Sequence, residues 1–278
     1  MKKNKKMGIA LGGGGARGSY QIGVLKEFEK AGLLEGVKEI SGTSVGSLNA
    51  SVLAMEDLDL GEKIWLSMDD DKLFKNEETI FRVFMKDGFK IIQNGYYKSE
   101  KFKKLLKENI DIQKVKEKNV FVTTSLLGED EASLWKLMTM NIRGGFNKGS
   151  LTRYNELKKT SDEDFIKTLL ASCSIPLFFK PIKIKGKTYY DGGIFDPTPC
   201  KPLIEAGCTD IILIDLYRIR MRRMACKEKN TKFYKLRPSK NLGWILNFSN
   251  KKIKERYELG RKDALRFLKR NPELLEKK

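Results

Sequence analysis

Not one of the 278 residues is a histidine. That absence removes the Ser-His-Asp triad and any Cys-His zinc site, both of which need an imidazole. Cysteine is scarce as well. Cys173, Cys200, Cys208 and Cys226 form no CxxC pair and no regular spacing, so a disulfide framework has little support and a reducing interior is expected. No run reaches the roughly 18 consecutive apolar residues that a membrane span requires. The opening MKKNKKMGIALGGGG is basic, but its apolar stretch is too short for a signal-peptide core. Acidic residues are outnumbered 36 to 55, which leaves a net charge of +19. The excess is uneven: from residue 201 onward, 22 Lys and Arg face 9 Asp and Glu. Such a field attracts a membrane surface or a nucleic acid, unless it is only the solvated face of a lysine-rich chain.

What is present reads as one large domain of 40% hydrophobic residues. KMGIAL at 6–11 is a short buried strand ending at glycines, and RGSYQIGVLKEFEKAG carries helical spacing that stops at Gly32. VKEIS at 37–41 is a second strand, followed by the helix SLNASVLAM. Strand, helix, strand, helix within 55 residues predicts an α/β fold with a mainly parallel sheet. Residues 57–118 read as helices over that sheet and a candidate cap. NVFVTTSLL is a strand, and GED turns into another over 132–138. Ser161 and Asp164 resemble a capping box opening a helix. IKIKGKTYY is a hairpin turning at Lys185–Gly186, and KPLIEAG and DIILIDL close the α/β pattern. The expected division is a catalytic domain over 1–217 and a basic, partly helical extension over 218–278, packed on or beside it.

Three motifs carry chemistry. Gly13, Gly15 and Gly18 satisfy G-x-G-x-x-G between a strand and a helix, with Glu39 at about the distance of a ribose-binding acid. Alone, this loop fits a nucleotide, an oxyanion or a tight turn. GTSVG at 42–46 matches G-x-S-x-G between a strand and a helix, the setting of a nucleophile elbow that exposes Ser44 at a helix N-terminus. Without histidine, the base for that serine must be a carboxylate, a lysine or an N-terminal amine. Asp191, leaving a strand in YYDGG, is the leading candidate; Asp196, Asp215 and Glu39 compete.

Taken together, GGGARG (13–18), GTSVG (42–46), ASCSIPLFFKP (171–181) and DGG (191–193) resemble the bacterial patatin-like phospholipases over roughly residues 6–217. The resemblance implies a patatin-like α/β/α fold and a dyad of Ser44 as nucleophile and Asp191 as catalytic aspartate. It also implies an oxyanion hole from the amides of Gly13, Gly14 and Gly15, and an acyl-enzyme intermediate without metal or cofactor. Arg17 is a candidate supporting residue. The family commonly has an acidic residue before its three glycines, where this chain has Gly12. The implied activity is phospholipase A or lysophospholipase hydrolysis of lipid esters. Its basic tail with Trp244 suits an anionic membrane surface, nucleic acid is a poorer partner, and the expected location is cytoplasmic, peripheral at the inner membrane surface. Two other readings stay open: a nucleotide-binding oxidoreductase, and a non-catalytic basic membrane-binding protein.

Overall fold

The computed structural model describes residues 5–68, 99–127, 151–176, 178–218 and 228–276. The strand expected over 132–138, and residues 69–98 of the expected cap, lie outside the described residues.

Strand β1 (Met7–Leu11) runs into the glycines, a 3-10 turn at Gly15–Arg17 and helix α1 (Gly18–Lys30). Strand β2 (Glu39–Thr43) is followed by α2 (Val45–Ala54) and α3 (Leu58–Leu66). Helices α4 (Ser99–Asn109) and α5 (Ile112–Lys116) precede the long strand β3 (Asn119–Leu127). Then come β4 (Thr152–Glu156), α6 (Asp162–Ser172) and the hairpin of β5 (Ile182–Ile184) and β6 (Lys187–Asp191). Helix α7 (Lys201–Glu205), β7 (Asp210–Ile214), β8 (Lys232–Leu236) and α8 (Asn250–Arg270) complete the order. The local signals act as expected. Ser161 Oγ accepts the Asp164 N–H to cap α6, and Lys185 and Gly186 both take positive φ, as a two-residue hairpin turn requires.

The described strands form one sheet in the order β5-β6-β3-β2-β1-β7-β8, with β4 also paired to β3. Strands β3, β2, β1, β7 and β8 are mutually parallel. β2 and β7 are buried along their whole length, and β1 is after Met7, because helices cover both faces. β1 is the first strand in sequence, yet it lies between β2 and β7. The crevice outside its carboxyl end is therefore the topological switch point, where α/β sheets place their sites.

The pairing of β3 has a specific consequence. At Thr123 it meets Thr43 of β2 on one edge and Tyr154 of β4 on the other. At Thr124 it meets Arg153 of β4 and Asp191 of β6. β2 and β6 thus share one edge of β3, approach from opposite directions, and end at adjacent registers. Their carboxyl ends butt together there.

The expected division after residue 217 meets a continuous sheet, since β8 extends it beside β7. Helix α8 then lies along α1. Its buried stripe of Ile253, Tyr257, Gly260, Ala264 and Phe267 follows the 3.6-residue period. A Cβ at Gly23 would stand 2.1 Å from Tyr257 O, and one at Gly260 2.1 Å from Tyr20 O, so the two helices touch backbone to backbone. Phe28 and Phe267 pack with ring centroids 5.6 Å apart, Tyr20 Oη donates to Asp263 at 3.1 Å, and Arg261 pairs with Glu27 at 2.7 Å. Each large apolar side chain buried here contributes about 1.5–3 kcal/mol. The buried stripe of α8 packs on α1, and its solvent face is mainly basic, with Leu265 exposed among the lysines and arginines.

Candidate active site

The site is built from chain reversals at the carboxyl ends of β1, β2 and β6. Ser44, between β2 and α2, has φ 54° and ψ −130°, a strained conformation for a residue with a Cβ. The reversal is tight enough that a Cβ at Gly42 would stand 2.3 Å from Gly46 O, and one at Gly46 2.2 Å from Leu11 O. The two glycines of G-x-S-x-G are thus required by close backbone approach, and the turn leaves Ser44 at the N-terminus of α2.

Ser44 Oγ lies 2.6 Å from Asp191 Oδ2. The other carboxylate oxygen, Oδ1, accepts the Gly193 N–H at 2.6 Å, which fixes the rotamer. Both residues are about 5% exposed. Burial pushes the Asp191 carboxyl up to about 7, against the smaller opposing effects of the Ser44 and Gly193 hydrogen bonds. The group is thus poised to take and return a proton near neutrality.

The other candidate carboxylates are placed elsewhere. Asp196 accepts Tyr154 Oη at 2.7 Å and the Thr198 N–H at 3.1 Å. Asp215 accepts the Tyr217 N–H and lies 3.6 Å from Arg237 Nε. Glu39 pairs with Gly8 in the sheet and with Lys6 at 2.8 Å, at the start of β2. The glycine loop leaves the opposite end of β1, beyond the Leu11–Gly42 pair. Three registers at about 3.3 Å each separate the two ends, so Glu39 is not a ribose ligand for this loop.

The glycine loop lies against the serine: a Cβ at Gly13 would fall 3.3 Å from Ser44 Cβ. The three amides of this loop differ in their surroundings. The Gly13 N–H donates to Pro197 O at 3.0 Å and is already engaged. Among the described residues, the amides of Gly14 and Gly15 have no acceptor. Of the three glycines expected as oxyanion donors, Gly14 and Gly15 are thus the two whose amides are unengaged among the described residues. Arg17 does not point at the dyad. Its guanidinium donates to Gly243 O at 2.6 and 2.9 Å and sits over the Tyr217 ring at 4.5 Å, tying the loop down.

Several residues that motif reading passed over hold this arrangement. Ser172 Oγ accepts the Ser44 N–H at 2.9 Å and donates to Thr123 O at 2.7 Å, linking the elbow to the point where β2 and β6 meet. A buried chain runs from Trp65 Nε1 to Asn49 Oδ1, from Asn49 Nδ2 to Gln21 Oε1, and from Gln21 Nε2 to Gly12 O. Ser172 sits inside the quoted ASCSIP run. Gln21 and Asn49 had only their polarity within the buried stretches of their helices as a signal.

Residues 9–204 match the family model for the patatin-like phospholipase domain. The chain belongs to the patatin-like phospholipase family. Among curated relatives, a lysophospholipase of Aspergillus terreus is 44% identical over 52 residues, covering 19% of this chain and 3% of that protein. An uncharacterized protein, R571, of Acanthamoeba polyphaga mimivirus is 27% identical over 187 residues, covering 66% of this chain and 57% of its own. The chain therefore spans only a small part of the lysophospholipases it matches. In fold, it is similar to VipD from Legionella pneumophila, with a TM-score of 0.54 at 14% identity over 96% of this chain and 67% of that one. The patatin-like match ends at residue 204, so β7, β8 and α8 lie beyond it although β7 and β8 belong to the same sheet.

Among the described residues, no helix is long and apolar enough to cross a membrane.

Proposed function

We propose that the chain hydrolyses acyl esters of lipids, as a phospholipase A or lysophospholipase, through a Ser44–Asp191 dyad. The observation that carries the reading is the 2.6 Å Ser44 Oγ–Asp191 Oδ2 hydrogen bond in a buried site of a chain without histidine. Family membership and the lysophospholipase relatives support the substrate class.

Ser44 Oγ attacks the ester carbonyl carbon while its proton passes to Asp191 Oδ2. The carbonyl oxygen becomes an anion that the Gly14 and Gly15 amides receive. Collapse breaks the bond to the alcohol, which leaves with the proton from Asp191, and the acyl group stays on Ser44. Water then attacks that ester and gives a proton to Asp191. The second collapse releases the fatty acid and returns the proton to Ser44 Oγ. A carboxylate is a weak base for a hydroxyl, so transfer is favourable only as charge builds on the oxyanion. One such donor is typically worth about 3–4 kcal/mol, which makes the glycine amides as necessary as the base.

The partner surface in this reading is an anionic membrane, supported by the positive excess after residue 200 and by Trp244, 56% exposed. Esterase assays on Ser44→Ala and Asp191→Asn test the dyad. Both variants should fold and lose at least a thousandfold in kcat, and wild-type turnover in either overturns it.

A further inference from the structure

The glycine loop rests on a segment from the far end of the chain, residues 242–247. Ile245 O accepts the Ala16 N–H at 2.7 Å. Gly15, at φ 55°, lies so close that a Cβ there would stand 2.2 Å from the same carbonyl oxygen. Arg17 grips Gly243 O from the loop side. A second arginine holds the segment from behind. Arg256 on α8 is 2% exposed. Its Nε donates to Leu242 O at 2.8 Å, its Nη2 to Trp244 O at 2.9 Å, and its Nη1 to Asn247 O at 2.6 Å and Ala16 O at 3.1 Å.

One buried guanidinium thus gathers three carbonyls of the 242–247 segment and one of the glycine loop itself. A planar fork with donors at fixed angles does this, and a lysine ammonium cannot reproduce it. Burying a charge is costly unless its donors are satisfied, so a group placed here marks a geometry the fold specifies closely. Ala16, whose carbonyl Arg256 holds, directly follows Gly14 and Gly15, whose amides have no acceptor among the described residues.

We propose that Arg256 is a positioning residue for the oxyanion loop. It fixes the 242–247 segment as a rigid backing, and through Ala16 it sets where the Gly14 and Gly15 amides stand relative to Ser44. The proposal rests on the reading of those two amides as the oxyanion donors. A shift of about 1 Å in such donors costs on the order of a hundredfold in rate without weakening ground-state binding.

The test compares Arg256→Lys, Arg256→Ala and Gly15→Ala with wild type on a soluble short-chain p-nitrophenyl ester. Turnover is normalised to serines titrated by a fluorophosphonate, and folding is checked by circular dichroism and melting. Arg256→Lys should fold, lose about 10- to 100-fold in kcat with KM within about twofold, and react with the fluorophosphonate proportionately more slowly. Millimolar guanidinium should restore part of the kcat of Arg256→Ala. A folded Arg256→Lys with wild-type kcat per titrated serine, or with a loss confined to its melting temperature, overturns the proposal. If neither Arg256 variant folds, Arg17→Lys loosens the same segment from its other side, and an unchanged kcat there overturns the proposal equally. Gly15→Ala separates the two layers, because its Cβ would stand 2.2 Å from Ile245 O and must displace the loop that carries both amides. Wild-type kcat in a folded Gly15→Ala refutes the oxyanion reading itself, whereas slow Gly15→Ala beside fast Arg256→Lys refutes the positioning role alone.

Discussion

Ser44 and Asp191 are 147 positions apart in the chain and 2.6 Å apart at their side-chain oxygens. They meet because β2 and β6 end against each other at Thr123 and Thr124, on the edge of β3 opposite β4. The Ser44–Asp191 contact is a property of sheet register: a slip of one residue in either strand would send its side chains to the other face.

The first prediction concerns pH and rate. In the proposed mechanism Asp191 must be ionised to accept the proton, and burial raises its pKa to about 7. On a soluble ester, kcat/KM should rise about tenfold per pH unit below that value and level off above it. A profile flat from pH 5 to 9 would show that another group is the base.

A second prediction turns the same burial into stability. The native carboxyl keeps a proton that the unfolded chain, with an ordinary carboxylate, releases above about pH 4. Between about 4 and 7 the native state binds more protons, so its stability falls as pH rises through that window. Asp191→Asn cannot ionise and should escape the loss. Urea unfolding should find it about 1–3 kcal/mol more stable than wild type at pH 8, with the gap closing toward pH 4. Equal stability at both pH values would mean the buried charge costs nothing.

Ser172 supplies a third. Ser172→Ala leaves the Ser44 N–H and Thr123 O without their shared partner, which costs about 1–3 kcal/mol for buried groups. Because the lost bond holds the elbow itself, kcat should fall at least tenfold while KM stays within about twofold. An unchanged kcat would assign Ser172 to folding alone.

The fourth addresses the elbow. A Cβ at Gly46 would meet Leu11 O at 2.2 Å and Gly12 O at 2.8 Å, both main-chain atoms that cannot rotate away. Gly46→Ala should cost about 3 kcal/mol in chemical denaturation and abolish turnover. A variant as stable and active as wild type would show that the β1–α2 approach is looser than described.

Much of the frame was legible because it depends on local rules. β1, α1, β2 and α2 announced themselves through short apolar runs broken by glycine, and the hairpin through Lys185–Gly186. Ser44 was legible because its glycines are demanded by the turn. What stayed hidden was set by contacts distant in sequence. No local pattern says that Pro197 O occupies the Gly13 amide, or that Glu39 lies at the wrong end of its strand. Arg256 was hidden for a different reason: in a run such as KKIKERYELGRK a buried arginine looks like its solvated neighbours. Its partners are main-chain carbonyls, which leave no mark in the sequence.

The central claim is that Asp191 activates Ser44. The measurement that tests it most directly is the rate of fluorophosphonate labelling, with the adduct located by peptide mass. A single adduct on Ser44 is expected, formed at a rate that rises through about pH 7 and drops at least a hundredfold in Asp191→Asn. Labelling at wild-type rate in Asp191→Asn, or an adduct on another residue, would contradict it.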